Sequence, residues 1–168
     1  AENPTPQSLF DDNLAGKDSE DGRVSWLQIS NKGVSVITSG FQYLTELKIL
    51  NLSSNNLNNL SSHVTSLDKL TSLNVAFNNI SSIPSNIVDL TELTELNIDG
   101  NIITSLPNLS GFANLKTLDT GSNQLTELPS LPSSLETIFA DHNSLASLPS
   151  GIGSLGSLHY IDVGYNQL

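Results

Sequence analysis

The chain of 168 residues contains neither cysteine nor methionine, and its apolar runs are short. Without cysteine it forms no disulfide, no thiolate metal site and no thiol nucleophile. Without methionine it lacks a start residue, so we expect a processed product or a piece of a longer protein. No apolar run approaches the roughly 20 residues that a membrane-spanning helix needs, and we therefore expect no membrane insertion.

Basic residues are also few. Lysine and arginine together number 6, against 17 acidic residues, which gives a net charge of −11. A surface this acidic repels phosphate, which argues against nucleic acid and anionic membranes as partners. It favours a protein partner with a basic surface, or a cation. Charged residues make up only 14% of the chain, which is too few for a disordered acidic tail.

One pattern of apolar residues and asparagine fills nearly the whole chain. Its first strong copy is Leu47, Leu50, Leu52, Asn55 and Leu57. The asparagine returns in each later copy, as Asn55, Asn78, Asn101, Asn123, Asn143 and Asn166. A weaker first copy has Lys32 in that place, and the intervals from it onward are 23, 23, 23, 22, 20 and 23 residues. Seven copies at this period predict a solenoid.

The physical chemistry of one copy supports the same prediction. Its apolar residues alternate with polar ones over a short stretch, which indicates a strand with one buried face. A single unit cannot bury its leucines, so the units must stack and pair their strands in parallel. We expect each asparagine amide to donate to one coil and accept from another, because the buried turns need hydrogen-bond partners.

The second half of each copy is expected to form the outer, convex side. Residues 83–90 and 148–155 each hold a proline followed by apolar residues and predict short helical or 3₁₀ turns. Residues 125–135 contain two prolines in a shorter copy. That copy has no room for a helix, so we expect it to run extended.

The repeat resembles that of the leucine-rich-repeat family, and the resemblance covers residues 24–168. It implies an α/β repeat solenoid: a horseshoe with a parallel β-sheet on its concave face and short 3₁₀, helical or extended segments on its convex face. The 23-residue copies are similar to those of internalin-like bacterial proteins. The short proline-rich copy is similar to repeats of secreted bacterial effectors. A bacterial protein at the cell surface or outside the cell is therefore expected, with a cytoplasmic location as the alternative.

The two ends of the chain differ from the repeat. Thr5 with the following proline and Gly16 indicate the start and stop of a helix. We therefore predict an N-terminal helical cap over residues 1–22 and a repeat domain over residues 23–168, whose seventh repeat is incomplete. Because the chain stops at Leu168, we expect either a longer parent protein or a second molecule covering that end. A homodimer through that end or through the concave face is the second possibility.

We expect the functional residues at strand positions whose side chains do not pack in the core. These positions form three columns on the concave face. The first column is Trp26, Ile49, Ser72, Glu95, Thr117, Thr137 and Tyr160. The second is Gln28, Asn51, Asn74, Asn97, Asp119, Phe139 and Asp162. The third is Ser30, Ser53, Ala76, Asp99, Gly121, Asp141 and Gly164. None of these residues is basic.

We predict a partner-binding patch among these columns, made of Phe139, Tyr160, Asp119, Asp141, Asp162, Glu95 and Asp99. Aromatic groups among carboxylates suit a basic protein surface. The favoured function is a non-catalytic protein–protein interaction module. One alternative is the substrate-recognition region of a larger secreted effector enzyme, such as a ubiquitin ligase. Another is a glycan-binding module, in which Trp26, Phe139 and Tyr160 would stack on sugars.

Catalysis is poorly supported by the sequence. The three histidines, His63, His142 and His159, lie in different copies without ligand spacing. Neighbours on a strand point to opposite faces, so His142 and Asp141 are not expected to meet. An open sheet lacks the pocket that shifts a pKa. We predict no enzyme activity, cofactor or metal. Calcium is the less favoured interpretation for Asp99, Asp119 and Asp141, and also for the acidic turn at 18–22.

Overall fold

A computed structural model describes residues 15–17 and 22–168. These residues form one sheet of eight strands in chain order. The strands are β1 Ala15–Lys17, β2 Val24–Gln28, β3 Ile49–Asn51, β4 Ser72–Asn74, β5 Glu95–Asn97, β6 Thr117–Asp119, β7 Thr137–Phe139 and β8 Tyr160–Asp162. Strands β2 to β8 are parallel. The predicted leucine-rich-repeat horseshoe is thereby confirmed.

The strands are aligned by one core residue in each repeat. The middle residues of β2 to β8 pair in sequence and are Leu27, Leu50, Leu73, Leu96, Leu118, Ile138 and Ile161. The first six are buried and Ile161 is partly buried. A shift of one residue would turn each of these side chains to solvent. The core therefore fixes the register that lines up the concave columns.

The convex side carries short helical segments. They are α1 Ser62–Thr65 and the 3₁₀ helices Ser39–Tyr43, Ser85–Asp89 and Ile152–Ser154. Two of the 3₁₀ helices lie in the predicted segments 83–90 and 148–155, and residues 125–135 contain no helix, as expected from their length. Over the described residues, the helices are too short to cross a membrane.

The repeated asparagine connects neighbouring coils through its side-chain amide. Asn78 donates through Nδ2 to the carbonyl oxygens of Leu52, at 3.0 Å, and Val75, at 3.0 Å. Its Oδ1 accepts from the backbone N–H of Leu57 at 3.0 Å. The other five asparagines make equivalent bonds. These side chains provide hydrogen-bond partners for buried backbone N–H and C=O groups that would otherwise lack them.

The residue before each repeated asparagine, and before Lys32 in the first copy, has a left-handed backbone. The seven residues are Asn31, Ser54, Phe77, Gly100, Ser122, His142 and Tyr165, with φ between 49° and 63°. Left-handed backbone is costly for residues other than glycine and asparagine. The turn after each strand therefore imposes this conformation whatever residue occupies the position.

The N-terminal end of the sheet contains a strand that the sequence did not predict. Strand β1 pairs antiparallel with β2, so that Ala15 lies opposite Leu27 and Gly16 opposite Trp26. Gly16 is therefore part of a strand, whereas the sequence suggested that it follows a helix end. The helix expected from Thr5 onward lies outside the described residues.

Candidate functional site

The three predicted columns lie side by side on the concave face. In the first column Glu95 pairs with Thr117, and Thr137 pairs with Tyr160. In the second column, Phe139 has Asp119 on one side and Asp162 on the other. The register thus places an aromatic ring between two carboxylates on adjacent strands.

The second column has a structural task that the sequence analysis missed. Its side-chain oxygen accepts a hydrogen bond from the backbone N–H two residues later, at 2.9–3.1 Å. The residues that do so are Asn51, Asn74, Asn97, Asp119 and Asp162. This bond holds the chain as it leaves the strand, and any Asn or Asp oxygen can accept it. The recurrence of Asn or Asp at this position was the signal for it.

Phe139 departs from that pattern. It occupies the second column of β7 but has no oxygen to offer the N–H of Asp141. Its ring is half-buried and packs against Tyr160, with the ring centroids 5.3 Å apart and the planes at 50°. Tyr160 is 47% exposed. The turn does not require a ring here, so the fold does not explain an aromatic residue at this position.

Three of the predicted acidic residues converge on Gly121. A β-carbon at Gly121 would lie 3.0 Å from Oδ1 of Asp99, 3.1 Å from Oδ1 of Asp141 and 3.4 Å from Oδ1 of Asp119. Gly121 is buried. Its lack of a side chain leaves the three carboxylates close together on three adjacent coils, where their negative charges repel one another.

The environment of Asp119 raises the pKa of its carboxyl group above the ordinary value of 3.8. Burial is the largest cause, because it disfavours the charged form. The hydrogen bond from Gly121 acts in the opposite direction and lowers the pKa. The charges of Asp99 and Asp141 then raise it further. An ionised Asp119 is therefore costly in the free protein, and the expectation that the open sheet has no site that shifts a pKa is wrong.

A groove of about 280 Å³ lies beside Phe139 and Asp119 on the concave face. Its lining residues are Ser72, Leu73, Asn74, Glu95, Leu96, Asn97, Thr117, Asp119 and Phe139. Glu95 accepts a hydrogen bond from the hydroxyl of Ser72 at 3.2 Å. Three predicted patch residues, Glu95, Asp119 and Phe139, therefore share this groove, while Asp99, Asp141, Asp162 and Tyr160 lie outside its lining.

The expectation that His142 and Asp141 would not meet is wrong. Nδ1 of His142 lies 2.7 Å from Oδ2 of Asp141. The strand rule does not apply because β7 ends at Phe139 and His142 has a φ of 51°. The His142 ring also stacks on Tyr165, with centroids 4.2 Å apart and planes at 20°. This pair adds two aromatic rings beside the third column.

Basic side chains are few beside the patch. Lys116 precedes β6, and its Nζ lies 3.0 Å from Glu136, outside the three columns. Among residues 15–17 and 22–168, no three acidic or histidine side chains are arranged to hold a metal ion. Residues 18–21 of the acidic turn lie outside the described part.

Trp26 lies on β2, five strands from Phe139, so the predicted sugar-stacking residues do not form one site.

Comparison with known sequences identifies the family. The profile described as "Leucine rich repeat" matches residues 47–103, and the one described as "Leucine Rich repeats (2 copies)" matches residues 91–133. Together they span residues 47–133, and the sheet extends the same architecture on either side. The chain belongs to the leucine-rich-repeat family. Such repeats commonly mediate protein–protein interaction.

Two curated proteins resemble parts of the chain. Lumican from Bos taurus is 37% identical over 62 residues, which are 36% of this chain and 18% of lumican. Toll-like receptor 9 from Sus scrofa is 43% identical over 60 residues, which are 34% of this chain and 6% of the receptor. The similarity is thus limited to a few repeats of much longer proteins.

Two solved structures resemble most of the chain. The effector protein YopM of Yersinia pestis has a TM-score of 0.69 and 29% identity, and the match covers 84% of this chain and 37% of YopM. A leucine-rich-repeat protein of Leptospira interrogans has a TM-score of 0.62 and 27% identity, covering 83% of this chain and 43% of that protein. The chain spans less than half the length of either protein.

Proposed function

We propose that the protein is a non-catalytic binding module that recognises a basic protein surface through the concave face of β5 to β8. Phe139 carries the proposal. Five of the seven residues in its column support the turn after the strand, and Phe139 cannot do so. A ring that is partly exposed, paired with Tyr160 and unnecessary for the turn is suited to contact a partner.

The acidic residues support a basic partner. Asn51, Asn74 and Asn97 show that a neutral amide supplies the hydrogen bond of the second column. Asp119 and Asp162 make the same bond but add a negative charge. At Asp119 that charge is costly, because burial and two neighbouring carboxylates oppose it. A positively charged partner surface would offset this cost.

The size of the face fits a protein partner. Parallel strands lie about 4.8 Å apart, so β2 to β8 span roughly 29 Å. Three columns over seven strands present about twenty side chains, which is close to one side of a standard protein interface. The open sheet is less suited to enclosing a small molecule.

Selection from a displayed library of random peptides and small domains tests the proposal. The bait is the full chain, and the matched variant is Phe139→Asn, which restores the residue type of the column. We expect the wild-type chain to enrich sequences rich in arginine and lysine, and the variant to lose at least tenfold of that enrichment. Asp68→Asn removes an exposed charge outside the columns and should enrich the same sequences as wild type. Equal enrichment by Phe139→Asn and wild type would overturn the proposal.

We further propose that the protein is bacterial and is secreted or located at the cell surface, where it contacts a host or another cell. Both structural relatives are bacterial, and one is described as an effector protein. The same likeness supports the alternative of a recognition region within a larger effector enzyme. The reading frame that encodes the chain decides between them: a catalytic domain in the same frame would support the enzyme. Antibody detection in cell and medium fractions of the source organism tests the location.

A further inference from the structure

We propose that the groove between Glu95, Asp119 and Phe139 receives one arginine side chain of the partner. This inference rests on the proposed function, because it names the group that the same face would recognise. A cavity, an aromatic wall and carboxylates on two adjacent strands beside that wall meet at this place.

The groove has the dimensions for a single side chain. Its volume of about 280 Å³ lies just below the range of roughly 300–1,000 Å³ of sites for drug-sized ligands. Glu95, Asp119 and Phe139 come from β5, β6 and β7. Neighbouring strands are about 4.8 Å apart, so the groove crosses roughly 10 Å of the sheet from Glu95 to Phe139. An extended side chain lying across the strands would reach all three residues.

The chemistry of the lining favours a planar cation. A guanidinium group stacks on an aromatic face and donates hydrogen bonds in its own plane. Phe139 offers the face, and Asp119 and Glu95 offer the acceptors. The backbone N–H of Gly121 donates to one oxygen of Asp119, and the hydroxyl of Ser72 donates to one oxygen of Glu95. Each carboxylate therefore keeps a second oxygen for the incoming cation.

Arginine suits this lining better than lysine. Its five donors form a fixed fork that can contact two separate carboxylates, whereas the lysine ammonium is a compact and more strongly hydrated charge. The carbon atoms of the Phe139 ring offer no hydrogen bonds to replace the water that a lysine ammonium would lose in the groove. The groove should therefore discriminate by shape and donor geometry as well as by charge.

The direct test is a titration followed by nuclear magnetic resonance on the full chain, with the amide of Gly121 and the ring of Phe139 observed. The probe is the peptide acetyl-Gly-Arg-Gly-amide. Two matched peptides carry lysine or citrulline, the latter a neutral mimic of arginine. We expect saturable shifts at both positions with arginine, at least fivefold weaker binding with lysine, and no saturable shift with citrulline.

Three variants locate the binding. Asp119→Asn keeps the turn hydrogen bond and removes the charge, and Phe139→Asn removes the wall; each should weaken arginine-peptide binding at least fivefold. Asp68→Asn should leave it unchanged. Equal shifts with citrulline, shifts centred outside the groove, or unchanged binding by Asp119→Asn would overturn the inference. Displacement of the peptide by calcium chloride, with shifts at the same residues, would show a metal site and overturn it too.

The two proposals fail in different ways. If the arginine peptide does not bind but library selection still depends on Phe139, the concave face binds a partner and the arginine groove is wrong. If the peptide binds in the groove while library selection ignores Phe139, the groove accepts arginine and the proposed partner-binding face is wrong.

Discussion

The ring of Phe77 occupies the space that a side chain at Gly100 would need. A β-carbon at Gly100 would lie 2.5 Å from Cδ1 and 2.8 Å from Cε1 of that ring. The two residues hold the same position in adjacent repeats, and both have a left-handed backbone, with φ of 55° and 63°. Glycine at one repeat therefore makes room for an exposed aromatic residue at the preceding one.

This relationship makes Gly100→Ala destabilising for two reasons. Alanine in left-handed backbone costs about 1–2 kcal/mol, and its methyl group would also displace the Phe77 ring. We expect the free energy of unfolding to fall by about 2 kcal/mol, measured by urea denaturation. Gly153→Ala is the control, because nothing lies within 4 Å of its β-carbon position. Equal effects of the two substitutions would contradict this account.

Adding Phe77→Ala to Gly100→Ala separates the two costs. The double variant removes the clash but keeps alanine in left-handed backbone, so it should recover only part of the lost stability. Full recovery would show that the clash, and not the backbone, is the whole cost. A double-mutant cycle from the same urea curves gives the coupling between the two residues.

The asparagine of each repeat should be needed for folding. In Asn78→Ala the buried N–H of Leu57 loses its acceptor, and buried carbonyls on two coils lose a donor. An unsatisfied buried group costs about 1–3 kcal/mol, so we expect a loss of at least 2 kcal/mol in the urea-derived free energy. Asn79→Ala, next in sequence but with an exposed side chain, should change it by less than about 0.5 kcal/mol. A loss for Asn79 as large as that for Asn78 would refute a specific role of the repeated asparagine.

The fold was predictable because its determinants repeat seven times. Leu50 and its equivalents recur in the same place, and a parallel stack is the arrangement that buries them all. Strand β1 was not predictable in this way. Its residues occur once, and its pairing with β2 depends on the sheet edge that the repeats create.

The candidate site was predictable in position but not in detail. The columns follow from alternation along a strand, and they placed Phe139 and Asp119 together on the concave face. The meeting of His142 with Asp141 depends on left-handed backbone after the strand, which strand periodicity does not describe. The convergence of Asp99, Asp119 and Asp141 was predictable from their columns, but the space that Gly121 leaves for them was not.

Asp119 should make stability depend on pH. Its pKa is raised in the folded chain above 3.8, so the native state holds the proton more tightly than the unfolded state does. Its contribution to stability is therefore greatest at low pH and is lost as pH rises from 3.8 through the raised pKa. Asp119→Asn should raise the melting temperature at neutral pH, by an amount that shrinks as the pH is lowered toward 3.8. A constant difference at all pH values, or the same trend in Asp68→Asn, would contradict this cause.

Thr120 holds a buried hydroxyl where most repeats have an aliphatic residue. Its Oγ1 donates to the carbonyl oxygen of Phe139 at 3.1 Å, and its own N–H donates to the same oxygen at 2.8 Å. That oxygen keeps a partner in Thr120→Val, so we expect a change of less than about 1 kcal/mol. Thr120→Ser keeps the hydroxyl and loses a buried methyl group, which should cost about 1 kcal/mol. Calorimetry of the two variants tests this order. A larger loss of stability in Thr120→Val than in Thr120→Ser would contradict it.

Two substitutions at Phe139 should differ in stability because only one can rebuild the turn. Both lose the packing against Tyr160, an aromatic contact worth about 0.5–1.5 kcal/mol. Asparagine can accept from the N–H of Asp141, as Asn97 accepts from Asp99, and such a bond returns about 0.5–1.5 kcal/mol. The free energy of unfolding in urea should therefore be close to the wild-type value for Phe139→Asn. For Phe139→Ala it should be about 1 kcal/mol lower. If alanine and asparagine were equally stable, the second column would not carry the turn, and Phe139 would no longer stand out from the residues beside it.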